Sequence, residues 1–218
     1  MALAGARKVI VQANIWRRAD ETLRRLADGL LAEKLGRVQA ATLIYGNGLH
    51  NNGFHMIDLT RMLLGEVEAV QALGPVLPGP HLPLPGDFDL CFALHLASGQ
   101  IVLAQPVDFR DYRENGLDFW GSNGRLSVWQ EGLTLRPRPP PRQSRHARRA
   151  RDCQRRARAS ANHGRRSLWR MYDNLADAVA GRAPLWSPGD SALQVERVIA
   201  ALEASLAAGG AKIEVSHA

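Results

Sequence analysis

The run Phe88-Asp89-Leu90-Cys91-Phe92-Ala93-Leu94-His95-Leu96-Ala97-Ser98-Gly99-Gln100-Ile101-Val102-Leu103-Ala104-Gln105-Pro106 decides the fold class of this chain. Two apolar-rich stretches, Phe88 to Ala97 and Gln100 to Phe109, flank a Ser98-Gly99 turn, which predicts two antiparallel strands joined by a hairpin. Further short strands follow at Leu117 to Gly121, Arg125 to Gln130 and Leu133 to Arg136, so the whole region reads as a mostly antiparallel meander. On the N-terminal side Val67 to Leu73 and Val38 to Tyr45 are strands, and Val9-Ile10-Val11 within Lys8 to Asn14 reads as a short one. Between them and the hairpin, the five prolines from Pro75 to Pro85 predict a surface crossing.

Helical periodicity brackets these strands. Asp20 is placed to cap a helix over Glu21 to Lys34, whose Leu23, Leu26, Leu30 and Leu31 share one face and which Gly36 closes. A second helix opens near His55 and stops at Gly65. Leu168 to Ala180 and Ser191 to Ala208 are amphipathic, and Lys212 to Val215 is a last short strand. No series of βαβ units is visible. The sum is α+β: an open, mostly antiparallel sheet with helices packed on one face.

Composition narrows the function classes. At 218 residues and 45% hydrophobic content the chain can bury a sizeable core. It has no apolar run of the roughly 18 residues a membrane helix needs, and Met1 to Arg7 is too short and too weakly apolar for a secretory signal, so a cytoplasmic protein is expected. Cys91 and Cys153 have no metal-ligand spacing and form no disulfide framework, so no metal site is expected. The net charge of +7 is concentrated: residues 136–166 hold twelve arginines and one acid, Asp152, leaving 16 basic and 20 acidic residues elsewhere. From Arg136 through Ser167 there is no Leu, Ile, Val, Phe, Tyr or Trp, so this stretch cannot build a core and reads as a disordered or aberrant insertion. Lacking interleaved aromatics, it is a poor nucleic-acid arm, and nucleic acid is not the expected partner.

The densest chemistry lies in Tyr45-Gly46-Asn47-Gly48-Leu49-His50-Asn51-Asn52-Gly53-Phe54-His55-Met56-Ile57-Asp58-Leu59. Three glycines in eight residues allow close backbone approach, two asparagines offer amide donors and acceptors, and His55 is the side-chain type that titrates near neutrality. Asp58, at i+3 from His55, is placed to accept the imidazole N–H, against the plainer alternative of a first-turn acid favoured by the helix dipole. Gly46-Asn47-Gly48 is followed by Asn51 where a dinucleotide fingerprint needs glycine.

The ordered motifs Ala13-Asn14-Ile15-Trp16-Arg17-Arg18-Ala19-Asp20, Glu33-Lys34-Leu35-Gly36-Arg37-Val38, Asn52-Gly53-Phe54-His55-Met56-Ile57-Asp58-Leu59, Trp120-Gly121-Ser122-Asn123-Gly124-Arg125-Leu126 and Ser187 to Ser205 resemble the Gfo/Idh/MocA family of NAD(P)-dependent oxidoreductases, in its C-terminal substrate and oligomerisation domain. The resemblance covers nearly the whole chain except the arginine-rich stretch. It implies that residues 1–18 are a remnant last strand of a Rossmann domain and its junction, and that 19–218 form the substrate-binding domain. The cofactor implied is NAD or NADP, with no cofactor-binding residues in this chain, because the family's glycine-rich loop and Glu-Lys-Pro motif are missing; activity of the chain alone is not expected.

The resemblance implies further that His55 is the acid/base histidine, that Tyr45, Asn51 and Asn52 contact sugar hydroxyls, that Trp16 and Arg17 lie beside the substrate, and that Arg18 braces the domain junction. Family members often carry an aspartate where Asn51 stands, so the charge that would raise the histidine pKa is absent. The Asn-Gly-x-His variant at 52–55 resembles members acting on nucleotide-linked sugars. The expected partners are a sugar or nucleotide sugar and a second copy, as a homodimer or homotetramer through the open sheet. A non-catalytic assembly module is the alternative.

Overall fold

The computed structural model describes residues 1–78, 82–129, 134–138 and 163–216. One eight-stranded sheet organises them, built from β1 (Val38–Tyr45), β2 (Val67–Pro78), β3 (Phe88–Leu96), β4 (Ile101–Pro106), β5 (Gly116–Gly121), β6 (Gly124–Trp129), β7 (Thr134–Arg138) and β8 (Ile213–Glu214) in the order β7-β6-β5-β1-β4-β3-β2-β8. The hairpin quoted first forms as predicted, with Ala93 opposite Leu103 and His95 opposite Ile101. All pairings are antiparallel except the central one, where β1 runs parallel to β4 with Ala41 opposite Val102.

The helices are α1 (Ala2–Ala6), α2 (Glu21–Arg25), α3 (Leu31–Leu35), α4 (Phe54–Leu64), α5 (His163–Val179) and α6 (Gly189–Ala207). Strand alternation separates the two faces of the sheet. Leu43, Tyr45, Phe92, Leu94, Val102, Ala104, Leu117 and Phe119 point into one core with Leu23, Leu31 and Leu35, with Met56, Ile57 and Leu59 of α4, and with Val195, Val198, Ile199 and Leu202 of α6. The opposite face is open: Ile101 and Leu103 are 48% and 45% exposed, while their neighbours Val102 and Ala104 are buried. At about 25 cal/mol per Å² of apolar surface removed from water, the α4 and α6 seams are what fix the site loop to the sheet.

Several boundaries differ from expectation. The predicted helix over Glu21 to Lys34 is broken at Gly29, whose φ of 117° is outside the helical range, so α2 and α3 flank a kinked segment. Glycine's lack of a side chain makes that break cheap. Asp20 caps α2 as predicted, accepting from the Thr22 and Leu23 amides. Val9-Ile10-Val11 form no strand: the segment makes one isolated bridge, Gln12 to Pro188, and Val9 and Ile10 are exposed. β2 runs on through Gly74 and Pro75, with a register irregularity between Leu73 and Leu77, where a surface crossing was expected. Proline tolerates such a position where ladder hydrogen bonding is already interrupted. α5 starts at His163, five residues before the first apolar residue of its periodic pattern, and most of the arginine-rich stretch lies outside the described residues.

Candidate functional site

β1 ends at Tyr45 and hands the chain to a wide helical turn, Gly48–Gly53, that runs straight into α4. Asn47 enters the turn in the left-handed region, φ 66° and ψ 29°, a conformation asparagine tolerates better than most residues. Gly48 follows at φ 98°, and a Cβ there would overlap the carboxylate of Asp87. The reason is that two aspartates at the opening of β3 grip this turn. Asp89 accepts the Gly48 amide at 3.0 Å. Asp87 accepts the His50 amide at 3.0 Å through Oδ1 and the Asn51 amide at 3.2 Å through Oδ2, and its own successor Phe88 donates to Oδ1 at 2.8 Å. Both carboxylates are at least nine-tenths buried. Hydrogen bonds to a carboxylate are about twice as strong as neutral ones.

Asn51 is half-buried and its amide nitrogen donates to the Asn47 carbonyl at 3.1 Å, closing the turn on itself. Asn52 and His55 are half-buried at the turn–helix junction, and the His55 ring stands edge-on to Phe54 with centroids 5.6 Å apart. His50 is half-buried: its Nε2 lies 3.1 Å from Glu203 Oε1 on α6, and its ring meets Phe88 edge-on. The turn is therefore held by β3 on one side and α6 on the other.

Two residues expected at the site sit in the core. Tyr45 is fully buried, and its hydroxyl donates to the Leu90 carbonyl at 2.7 Å and accepts from the Leu90 amide at 2.9 Å. A phenol has one proton to give, and this one is used inside the sheet. Burial drives its pKa far above the ordinary range, against a smaller opposing effect of the bond to Leu90, with Asp89 adding to the rise. Asp58 is likewise fully buried, and both its oxygens face Arg18 Nε, at 3.0 and 2.9 Å, with Arg61 3.7 Å away. The expected Asp58-to-imidazole contact is thus replaced by an ion pair that pins α4 to the 3-10 turn Trp16–Ala19. Arg18 is the bracing residue at that seam. Arg17 is buried as well, its guanidinium 4.7 Å above the Trp16 ring, and Trp16 is half-buried.

Asn51, Asn52 and His55 are therefore gathered on one turn–helix junction, with Trp16 and Arg17 on an element bonded to the same helix, while Tyr45 and Asp58 support from behind. Sequence reasoning missed Asp87 and Asp89. The available signal was Gly86-Asp87-Phe88-Asp89, two acids at a strand start where apolar residues are the rule.

No group of three or more His, Cys, Asp or Glu that could hold a metal is present among the described residues. A nicotinamide dinucleotide needs a loop with free backbone N–H groups aimed at its pyrophosphate. The glycine-rich loop at 46–53 does not fit: its Gly48, His50 and Asn51 amides already face aspartates, whose charge repels phosphate.

No family model and no curated protein matches the sequence. Solved structures do match. The WlbA dehydrogenase from Bordetella pertussis, in complex with NADH and UDP-GlcNAcA, aligns with a TM-score of 0.71 at 16% identity over 100% of this chain and 68% of its own. The fold is that of the α+β domain of Gfo/Idh/MocA-type dehydrogenases. A putative myo-inositol dehydrogenase from Sinorhizobium meliloti aligns at TM-score 0.66 and 17% identity, covering 99% of this chain and 68% of its own. Levoglucosan dehydrogenase with NADH and levoglucosan aligns at 0.68 and 14%, covering 96% and 67%. This chain thus spans about two thirds of each Gfo/Idh/MocA-type neighbour, and the α+β architecture read from its sequence is the one they share. No helix of the described residues is long and apolar enough to cross a membrane.

Proposed function

We propose that this chain is the substrate-binding and oligomerisation part of an oxidoreductase that moves hydride between NAD(P) and a hydroxyl of a sugar, nucleotide sugar or cyclitol. The observation that carries this reading is the pinned turn–helix junction, which places two amide side chains and an imidazole together on a rigid support. Hydroxyls of a sugar demand donors and acceptors in fixed directions, and Asn51 and Asn52 supply both. His55, at the start of α4, is the acid/base group: an imidazole within hydrogen-bond reach takes the alcohol proton as the carbinol is oxidised, and returns it in the reverse direction. The cofactor would be held outside the described residues and would supply the hydride acceptor or donor. The expected site is cytoplasmic, and residues 1–18 form the junction to a cofactor-binding unit.

Titration calorimetry of the purified chain with UDP-GlcNAcA, myo-inositol and levoglucosan tests this. Saturable binding of one of them, weakened about tenfold by Asn51→Ala, is expected, since each lost hydrogen bond to a hydroxyl costs about 1–1.5 kcal/mol. Absence of binding by all three overturns it.

The exposed Leu73, Leu77, Ile101 and Leu103 on the open face support the second half of the reading, a homodimer or homotetramer joined face to face. Light scattering should give at least a dimer that Leu103→Glu dissociates. An oligomer together with undiminished sugar binding by His55→Ala and Asn51→Ala would favour a purely structural assembly module.

A further inference from the structure

Asp87 and Asp89 lie about 40 residues from the turn they hold, and neither is on the turn–helix junction that contacts the proposed substrate. Asp87 nevertheless takes two consecutive amides of that turn, those of His50 and Asn51, one on each carboxylate oxygen. Three ties converge there: Asp87 on residues 50 and 51, Asp89 on the Gly48 amide, and Glu203 on the His50 ring. The peptide unit between His50 and Asn51 is thereby oriented from outside, and the turn passes at Gly53 directly into α4, which carries His55, with no residue between the two elements. A turn with a glycine at each end would otherwise have many accessible conformations.

We infer that Asp87 is a positioning residue, whose carboxylate sets the direction of the Asn51 and Asn52 side chains and the entry angle of His55. The inference rests on the substrate-side reading of those three residues, but the geometry it claims exists with or without ligand. A carboxylate serves because both of its oxygens accept. An amide in its place turns one end into a donor, so either the Asn51 amide or the His50 and Phe88 amides would face another N–H. Gly48 belongs to the same device: any side chain there would occupy the space of the Asp87 carboxylate.

The test compares Asp87→Asn with Asp118→Asn, which alters a similarly buried carboxylate on β5, separated from β3 by β1 and β4. Hydrogen exchange on the full chain should show the His50 and Asn51 amides exchanging at least about tenfold faster in Asp87→Asn. The 15N resonances of the His55 ring should shift in that variant and not in Asp118→Asn. UDP-GlcNAcA binding should weaken with them, and Asp87→Glu should recover part of each readout. Should Asp87→Asn not fold, Gly48→Ala, whose Cβ would displace the same carboxylate, is read by the same exchange and ring signals and must move them as predicted for the inference to stand. A folded Asp87→Asn with unchanged amide protection and unchanged His55 resonances overturns the inference, as does an equal response to Asp118→Asn. If the unaltered chain binds no UDP-GlcNAcA while the exchange and ring signals respond as expected, the positioning role stands and the nucleotide-sugar reading falls.

Discussion

Two buried carboxylate clusters in this chain are built on opposite plans. Asp87 and Asp89, beside the candidate site, bond to backbone amides of a distant turn. Asp118, on the open face of the sheet, bonds to side chains of the adjoining strand: Arg125 meets it with Nε and a terminal nitrogen, each at 3.0 Å, and Ser127 donates its hydroxyl to the same carboxylate. The first arrangement fixes where the chain goes. The second decorates a strand pair whose course the ladder of β5 and β6 has already fixed. Carboxylates that hold backbone therefore matter to shape, and carboxylates that hold side chains matter to the surface they line.

The largest test of that contrast is Gly48→Ala, which combines an unfavourable φ with overlap at Asp87. It should cost about 3 kcal/mol, read as a drop in the urea midpoint. A loss under about 0.5 kcal/mol would mean that the turn is not tightly gripped. Next comes Tyr45→Phe, which strands the Leu90 amide and carbonyl and should cost about 1–3 kcal/mol by thermal unfolding. A substrate-facing hydroxyl would leave stability unchanged and weaken binding only. On the open face Arg125→Ala should cost less than about 1 kcal/mol, even though it also removes a stack 4.7 Å over Trp120, because the guanidinium is about one third exposed and water can take its place at Asp118. A cost matching that of Tyr45→Phe would erase the distinction.

The smallest effect concerns His95, half-buried on β3, with an Nε2 that lacks a hydrogen-bond partner among the described residues. Burial first, and then Lys212, hold its pKa below the ordinary histidine value, with Glu214 opposing. The unfolded chain therefore takes up the proton first as pH falls below about 6.5. Stability should decline from there until the lower native pKa is reached, then level off. His95→Gln should flatten that slope in unfolding curves between pH 7.5 and 5.5; an unchanged slope would clear His95 of the role.

How much of this was legible in sequence follows from the range of the forces involved. Strand alternation and helix periodicity are local, so the hairpin at Ser98-Gly99, the Asp20 cap and the closing glycines at 36 and 65 were readable residue by residue. The parallel seam of β1 and β4 was not, because pairing between distant strands leaves no mark in either one. The candidate site divided along the same line. His55, Asn51 and Asn52 belong to one continuous stretch and were visible. Tyr45 was expected to face the ligand and Asp58 the His55 ring, yet their partners, Leu90 and Arg18, come from other parts of the chain and draw them inward. Asp87 was overlooked because its significance lies wholly in amides 36 and 37 residues away.

The parallel seam has a temporal consequence. Among the described strands of this sheet β1 leaves the ribosome before the others, yet its ladder partners are Val102 to Pro106 on one side and Gly116 to Gly121 on the other. For some sixty residues of synthesis the middle of the future sheet waits with neither edge covered, and closing so long a loop slows folding. The turn that follows β1 waits with it, since Asp87 also arrives late. The middle of the sheet and the proposed binding turn should therefore mature together, as one late event in the life of the nascent chain.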